Sequence, residues 1–274
     1  MTSLPSTTEL GIELADHVAT VEIRRPPHNF FDLALIRGLA EAFEALDADA
    51  ACRAIVLAAQ GKSFCAGANF ADGAALDAEG QAKAQPAASA HPDVHRGVHL
   101  YVEAVRLFRT AKPIVGAIHG PAVGGGLGLA LVPDFRVACP EARFCANFTR
   151  LGFHPGFGLT VTLPELVGRR EAALMFYTSR RVKGEEALRI GLADVLVPLD
   201  EVRPAALALA REIAECSPLG VAATRATMRR GLAERVREAT EHELAEQTRL
   251  RRTEDFREGV KAMAERRTPR FTGR

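Results

Sequence analysis

A run of glycines between two apolar segments is the feature that most constrains how this chain can fold. Residues 114–118 form an apolar run that predicts a buried strand, and residues 127–132 suit a buried helix. Three consecutive glycines, 124–126, lie between them. Because glycine has no Cβ and a helix begins with unpaired N–H groups, backbone donors can approach a ligand here. Such a corner can hold a phosphate, or the oxygen of an enolate or tetrahedral intermediate, or it can be a tight packing corner.

The segments on either side of this corner predict an alternation of strands and helices. Apolar runs predict strands at residues 10–14, 18–23, 54–58, 114–118, 135–138, 142–145 and 195–197. Capping residues and helical spacing predict helices at residues 32–46, 93–109 and 159–177, and throughout 201–267. Residues 71–93 predict a mobile surface segment. Because the strand–strand–helix unit recurs, the predicted fold class is α/β without plain βαβ alternation.

The chain changes character near residue 198. Residues 1–198 are mixed α/β, whereas residues 199–274 combine dense charge with apolar positions at helical spacing. The second region is either a solvated helical tail or an element for docking and oligomerisation.

Composition excludes several classes of protein. The chain has 274 residues and a formal net charge of +1, so it has no basic surface typical of nucleic-acid or anionic-membrane binding. No apolar run approaches the roughly 20 residues that cross a bilayer. The first residues have neither the basic nor the apolar region of a secretion signal, and five cysteines occur without C-x-x-C spacing. We therefore expect a cytoplasmic protein with core thiols, no nucleic-acid partner and no membrane partner.

Several separate motifs resemble those of one superfamily. They are FCAGAN at 64–69, KPIVGAIHG at 112–120 with GGG at 124–126, LGFHPG at 151–156, GEEALRIGLAD at 184–194, and EDFREG with ERRTPRF at 254–271. In this order, over nearly the whole chain, they resemble the crotonase (enoyl-CoA hydratase/isomerase) superfamily. The resemblance implies a crotonase-like spiral of ββα units with a C-terminal helical region that assembles a homotrimer or homohexamer. It also implies an acyl-CoA substrate, no metal and no permanently bound cofactor, with coenzyme A entering as part of the thioester.

The resemblance also assigns site residues by motif position. The backbone N–H groups of Ala68 and Gly125 would hold the thioester oxygen as an enolate, and fixed donors of this kind are worth roughly 3–4 kcal/mol each in other acyl-transfer sites. Neighbouring residues expected to bind the CoA portion are Ala66, Gly67, Asn69 and Gly124. Arg266 stands where the family often has a lysine that meets a CoA phosphate; a free surface arginine is the alternative.

Two positions depart from the family pattern. The hydratases of the family use two glutamates, and their positions are occupied here by Gly128 and Phe148. Neither residue can move a proton, so we do not expect an ordinary hydratase, and a simple isomerase is disfavoured too. Decarboxylation, isomerisation, C–C cleavage and thioester hydrolysis stay open, and decarboxylation needs a base least. The alternative is a catalytically inactive homologue that binds acyl-CoA as a carrier or assembly subunit.

Histidines are the candidates for replacing the two carboxylates. His154 follows in the turn that lines the acyl pocket in the family, and is either catalytic or bonded to backbone. His91, His95 and His99 recur every four residues and would share a helical face, whereas Tyr101 lies about 200° round the helix from His99. We therefore expect that Tyr101 and these histidines do not face the pocket together. The spacing also suits metal ligands, but nothing in the sequence completes a metal site.

Other residues near these motifs predict packing. Cys65 is expected to be a core thiol, and His119 a loop histidine bonded to backbone. Phe148, Phe153 and Phe157 either pack in the core or make the acyl site apolar, which favours a long-chain or aromatic acyl group.

Overall fold

The computed structural model of the protein describes residues 7–69 and 99–274. Strands in these ranges are β1 (Leu10–Ala15), β2 (Val18–Ile23), β3 (Ala54–Ala59), β4 (Ile114–Ile118), β5 (Pro121–Val123), β6 (Phe135–Ala138), β7 (Arg143–Cys145), β8 (Arg181–Lys183) and β9 (Val195–Leu196). Helices are α1 (Leu33–Ala48), α2 (Leu100–Leu107), α3 (Gly125–Ala130), α4 (Leu159–Thr178), α5 (Gly184–Arg189), α6 (Val202–Glu215), α7 (Pro218–Met228), α8 (Leu232–Leu250) and α9 (Glu254–Ala264). The predicted α/β class and the C-terminal helical region are confirmed.

Two sheets carry the first part of the fold. The larger has the order β1-β2-β3-β4-β6-β9, in which only β1 and β2 pair antiparallel. Strands β3 and β4 are buried along their whole length, as expected of parallel strands covered on both faces. The smaller sheet has the order β5-β7-β8. Strand β8 is only three residues long, which is too short for the sequence pattern to have predicted it.

The helix predicted at residues 93–109 differs from the one observed. In the described part of the chain it begins at Leu100, and residues 93–98 lie outside the described ranges. His99 is the N-cap, with extended backbone, and its Nδ1 accepts a hydrogen bond from the Tyr101 N–H at 3.1 Å. A histidine in this position caps a helix as Asn or Asp does, because its ring nitrogen takes one of the unpaired N–H donors. His99 is therefore not on the helical face that its spacing predicted.

The C-terminal helices return onto the core through a buried carboxylate. Glu243 of α8 is fully buried and accepts hydrogen bonds from the backbone N–H groups of Gly158 and Thr160, at 2.8 and 3.0 Å. The Thr160 hydroxyl donates to it as well, at 2.6 Å. Burial raises the pKa of Glu243 in spite of these hydrogen bonds. The carboxylate satisfies N–H donors at the start of α4 and so fixes α8 against that helix.

A second anchor lies at the start of β6. Asp134 accepts from the Ile114 N–H at 2.8 Å and pairs with Arg225 at 2.9 Å and Arg229 at 2.8 Å. This carboxylate joins β4 to α7 and to the turn after it, so regions 1–198 and 199–274 share a packed boundary. Within the two described ranges, no helix is both long and apolar enough to cross a membrane.

Candidate active site

Two glycine-containing turns meet at the carboxyl ends of β3 and β5. The Cys65 N–H donates to the Pro121 carbonyl at 3.1 Å, and the Val123 N–H donates to the Cys65 carbonyl at 3.0 Å. Gly67 follows with φ +80°, and a Cβ there would lie 2.7 Å from the Val123 oxygen. Only glycine permits both this conformation and this approach. The FCAGAN turn is therefore held directly against the entry to the GGG segment.

The GGG segment opens α3 with free backbone donors. Gly124 has φ +57° and Gly125 is the first helical residue, whose N–H has no partner inside the helix. Neither Ala68 nor Gly125 donates its backbone N–H to any residue of the described ranges. Both residues line one cavity of about 490 Å³. Two fixed N–H donors in such a cavity can stabilise an oxygen on which negative charge develops.

The cavity contains nearly all the residues that motif position assigned to the site. Predicted residues in its lining are Ala66, Gly67, Ala68, Asn69, Gly124, Gly125 and Arg266. Much of the remaining wall is apolar and comes from Phe30, Phe31, Leu100, Val123, Phe148, Leu151, Phe153 and Met263. Polar side chains that the motifs did not assign are His99, Tyr101, Asn147, Gln247 and Arg251. No carboxylate lines the cavity among the residues whose placement is described.

The space beside Gly128 is filled by an aromatic ring. A Cβ on Gly128 would lie 2.7 Å from both Cβ and Cδ1 of Phe157, a fully buried residue with φ +65°. Phe157 does not belong to the cavity lining, so it packs against the glycine corner. Phe148 lines the cavity and packs edge-on against Phe153, with ring centroids 5.5 Å apart. Neither position that departs from the family pattern supplies a proton-transfer group here.

His154 lies outside the cavity lining. Its Nδ1 is 2.8 Å from the Pro155 carbonyl oxygen, and its ring packs edge-on against His242 with centroids 5.9 Å apart. Its own carbonyl accepts a hydrogen bond from Gln247 at 2.9 Å. The His154 backbone thus holds Gln247, which lines the cavity, but the imidazole does not reach the lining.

Tyr101 and His99 both line the cavity, so the expectation that they could not is wrong. The expectation assumed helical geometry between the two residues, whereas His99 has extended backbone and its ring packs 4.7 Å from the Tyr101 ring. The Tyr101 hydroxyl donates to Gln247 at 3.0 Å, and burial raises the pKa of this phenol. A Cβ on Gly156 would overlap the hydroxyl, which explains why the turn needs glycine there.

His99 has a defined tautomer. Its Nδ1 accepts from a backbone N–H, so the neutral ring carries its proton on Nε2. Burial, and then the nearby Arg251 charge, lower the pKa of His99 below its ordinary value. The ring is therefore a neutral hydrogen-bond donor at pH 7 and is poorly suited to act as a base. His91 and His95 lie outside the described residues, and the described part of the chain contains no group of side chains that could hold a metal.

Arg251 lines the cavity although no motif or spacing pointed to it. It follows α8, and its guanidinium carbon lies 5.7 Å from the centroid of the Phe153 ring. Its Nε is buried and has no hydrogen-bond acceptor among the described residues. Gln247 and Arg266, from the same helical region, line the cavity with it. The region expected to serve assembly therefore also builds a wall of the site.

Two further predictions concern residues beside the motifs. Cys65 is buried, its thiol donates to the Asn29 carbonyl at 3.1 Å, and burial raises its pKa to about 12. The expected role as a core thiol is confirmed, because such a group is not ionised at neutral pH. The Nε2 of His119 lies 3.1 Å from the Gly61 carbonyl oxygen, as expected of a loop histidine bonded to backbone.

Comparison with known proteins agrees with this geometry. The family model described as enoyl-CoA hydratase/isomerase matches residues 13–274. A probable enoyl-CoA hydratase of Bacillus subtilis is 30% identical over 265 residues, covering 96% of this chain and 98% of that protein. A carnitinyl-CoA dehydratase of Proteus mirabilis is 32% identical over 262 residues, covering 94% and 95%. The crystal structure of an enoyl-CoA hydratase/isomerase from Pseudoalteromonas atlantica aligns with a TM-score of 0.81 at 27% identity, covering 96% and 100%. The chain therefore belongs to the enoyl-CoA hydratase/isomerase family of acyl-CoA enzymes, within the crotonase superfamily.

Proposed function

We propose that this protein transforms an acyl-CoA thioester through an enolate held by the backbone N–H groups of Ala68 and Gly125. The observation that carries the proposal is that these two donors have no acceptor among the described residues and line one cavity. Fixed donors of this kind act on the charge that develops in the transition state, where each is worth roughly 3–4 kcal/mol.

The lining favours a reaction that forms its enolate without a strong base. Hydration requires one group to activate water and another to protonate the α-carbon, and the described lining contains no carboxylate for either task. Decarboxylation of a malonyl-type thioester avoids this requirement. The bond from the α-carbon to the carboxylate breaks, its electron pair becomes the enolate, and CO₂ leaves. A proton from water then converts the enolate to the product thioester.

The CoA portion is proposed to lie along the two turns. Its contacts would come from Ala66, Gly67, Asn69 and Gly124, all of which line the cavity. Arg266 is exposed at the same cavity and has no ion pair with a described residue, so it is free to meet a phosphate. In this proposal CoA is part of the substrate and not a resident cofactor. A cytoplasmic location and a trimeric or hexameric assembly stay predictions from the sequence.

A non-catalytic acyl-CoA-binding role is the second candidate. The observation that favours it is the same lack of a described carboxylate in the lining, together with the position of the His154 ring outside it. The two candidates differ in turnover and not in binding. Malonyl-CoA and methylmalonyl-CoA should release CO₂ if the first is correct, whereas crotonyl-CoA should keep its conjugated-thioester absorbance under both.

The oxyanion role is tested by removing one backbone donor. Ala68→Pro deletes the N–H, and Ala68→Ser is the matched control that retains it. We expect kcat for decarboxylation of the malonyl-type thioester to fall about 100- to 1,000-fold in the proline variant. In the serine variant it should change less than threefold. Thermal unfolding of both variants verifies that they fold. Equal activity of a folded Ala68→Pro variant would contradict the enolate assignment, and rapid hydration of crotonyl-CoA would contradict the proposed loss of hydratase chemistry.

A further inference from the structure

Arg251 places a positive charge in the acyl-CoA cavity without a counter-ion among the residues that the structure describes. Its side chain stacks on Phe153, its Nε is buried, and none of its guanidinium N–H groups bonds to a described residue. Leaving a partly buried guanidinium unpaired is costly, since the charge loses water and gains no partner. Burial accordingly lowers the pKa of Arg251, although the group stays protonated. An anionic ligand group would supply the missing partner.

The groups around Arg251 in the described part of the chain do not provide that anion. His99 and Tyr101 face the same cavity, and both are neutral at pH 7 because of the pKa directions given above. The carboxylates of α8 nearest to it in sequence have other partners. Glu243 accepts three hydrogen bonds from residues at the start of α4, and Glu246 pairs with Arg249 at 2.6 Å.

We propose that Arg251 binds a carboxylate carried by the acyl group, so that the substrates are CoA thioesters of dicarboxylic acids. This inference rests on the proposed function for its acyl-CoA ligand, and it specifies the acyl half. A guanidinium offers a planar pair of donors that matches a carboxylate, and the Nε2–H of His99 is a further donor in the same lining. The cavity can therefore accept an acyl group that ends in a carboxylate, as well as the long-chain or aromatic acyl group that its phenylalanines favoured.

A CoA phosphate is the other anion that could meet Arg251, but the phosphates have a better place. Arg266 lines both the acyl-CoA cavity and an adjoining cavity of about 740 Å³. That second cavity also has Arg150 and Arg181, which form no ion pair within the described ranges, and it does not include Arg251. The arginine-rich side suits the phosphates, and Arg251, beside Phe153 and Tyr101, is left for the acyl side.

The test compares thioesters that differ only by a terminal carboxylate. Glutaryl-CoA is paired with butyryl-CoA, and succinyl-CoA with propionyl-CoA, with Kd measured by calorimetry. In these two acids the free carboxylate is not β to the thioester carbonyl, so binding is measured without decarboxylation through an enolate. We expect at least a tenfold preference for the dicarboxylic member in one pair or both. Arg251→Gln should reduce the preference to within twofold of unity and leave the Kd of free CoA within threefold.

Two other arginines serve as matched controls. Arg266→Gln should weaken free CoA and all four thioesters by a similar factor and preserve the preference. Arg252 is exposed, and Arg252→Gln should change neither the affinity for CoA nor the preference for the dicarboxylic thioesters. Arg251→Lys keeps the charge without the planar fork and should retain a reduced preference, and unfolding curves verify that each variant folds.

Three results would overturn the assignment. The first is a wild-type preference below threefold in both pairs, which needs no variant to fold. The second is a preference unchanged in a folded Arg251→Gln protein. The third is a loss of free CoA affinity in Arg251→Gln as large as the loss for glutaryl-CoA, which would make the arginine a phosphate contact. A failure of the proposed decarboxylation would look different. Malonyl-CoA would then release no CO₂, while the protein would still bind the dicarboxylic thioesters more tightly than their partners.

Discussion

The contact between Gly128 and Phe157 is the clearest case in which one residue determines what the site can contain. The ring fills the volume that any side chain at position 128 would need. A glutamate placed at this position alone would therefore collide with Phe157, and Gly128→Glu is not expected to create a hydratase. The position is closed by packing as well as by the loss of its carboxylate.

This closure predicts opposite effects of adding one methyl group to two helical glycines. In Gly128→Ala the new Cβ would lie 2.7 Å from the Phe157 ring, and we expect a loss of about 1–3 kcal/mol in the free energy of unfolding. In Gly38→Ala, on α1, the nearest atom is Leu10 Cδ2 at 3.8 Å, so the better helix propensity of alanine should stabilise by up to about 1 kcal/mol. Urea unfolding monitored by circular dichroism measures both changes. A Gly128→Ala protein as stable as wild type would show that Phe157 moves aside freely.

At the scale of single residues, the family motifs located the backbone of the site better than its side chains. The resemblance assigned Ala68 and Gly125 by motif position, and both residues line one cavity. Arg251 is 126 residues beyond Gly125 in the chain, and no periodicity or motif connects the two. His99 was placed on the wrong face because its role as a helix cap depends on where α2 begins, and helix ends are the least predictable part of a sequence pattern.

At the scale of elements, Glu22 ties the C-terminal helices to the main sheet. It stands on β2 and is 6% exposed. It accepts from Arg24 at 2.8 Å and from Gln60, after β3, at 2.9 Å, and it pairs with Arg203 of α6. Burial raises the pKa of Glu22, but the hydrogen bonds from Arg203 and Arg24 outweigh it, and the net pKa is below its ordinary value.

The lowered pKa predicts how stability depends on pH. A carboxyl that binds its proton less readily in the folded state stabilises above the unfolded pKa, and this stabilisation is lost as pH falls through the folded pKa. Glu22→Gln should therefore lower the free energy of unfolding at pH 7. The loss should be only about 1–2 kcal/mol, because Arg24 and Arg203 are partly exposed and water screens their charges. Urea midpoints should show the difference between Glu22→Gln and wild type narrowing as pH falls below about 4.3, the ordinary pKa of a glutamate. The control Glu165→Gln breaks an exposed pair with Arg235 and should cost less than about 0.5 kcal/mol at any pH. A difference between Glu22→Gln and wild type that does not change with pH would contradict the assignment of the charge.

The elements themselves were predictable where burial is continuous. Strands β3 and β4 are buried throughout, and their uniform apolar composition reveals them. The glycine corner is more complex than predicted, because the three-residue strand β5 lies between β4 and α3 and joins a separate small sheet. The strand order β5-β7-β8 of that sheet is set by tertiary contacts, which no short window of sequence contains.

At the scale of the whole molecule, distant parts of the chain build one cavity. The turn at 64–69 and the corner at 123–125 supply backbone donors, whereas α8, α9 and the residues that follow them supply Gln247, Arg251 and Arg266. The division at residue 198 follows composition, but it does not separate the site from the helical region. Displacement of the C-terminal helices would therefore remove the side chains proposed to recognise both ends of the substrate.

The same helical region has an exposed apolar face, and substitutions on this face test the predicted trimer or hexamer. On α7, Leu219 is 84% exposed and Met228 is 82% exposed, and Met228 borders an apolar groove of about 690 Å³ whose wall includes Phe135 and Ile213. Apolar side chains this exposed beside a groove are typical of a protein–protein interface. We expect the face to be covered by a second copy of the chain. The change Leu219→Asp with Met228→Glu would place two carboxylates there and should convert the assembly to monomers in sedimentation velocity.

Val102→Asp is the matched control for that change, because Val102 is 59% exposed on α2 and does not border the groove. It should leave the sedimentation coefficient at the wild-type value. One copy of the chain carries Ala68, Gly125 and Arg266 on the same cavity, so the monomeric variant should still bind CoA if its C-terminal helices stay docked. A variant that becomes monomeric and loses CoA affinity would show that assembly holds these helices over the site. A variant that keeps the wild-type assembly would place the interface on another face of the molecule.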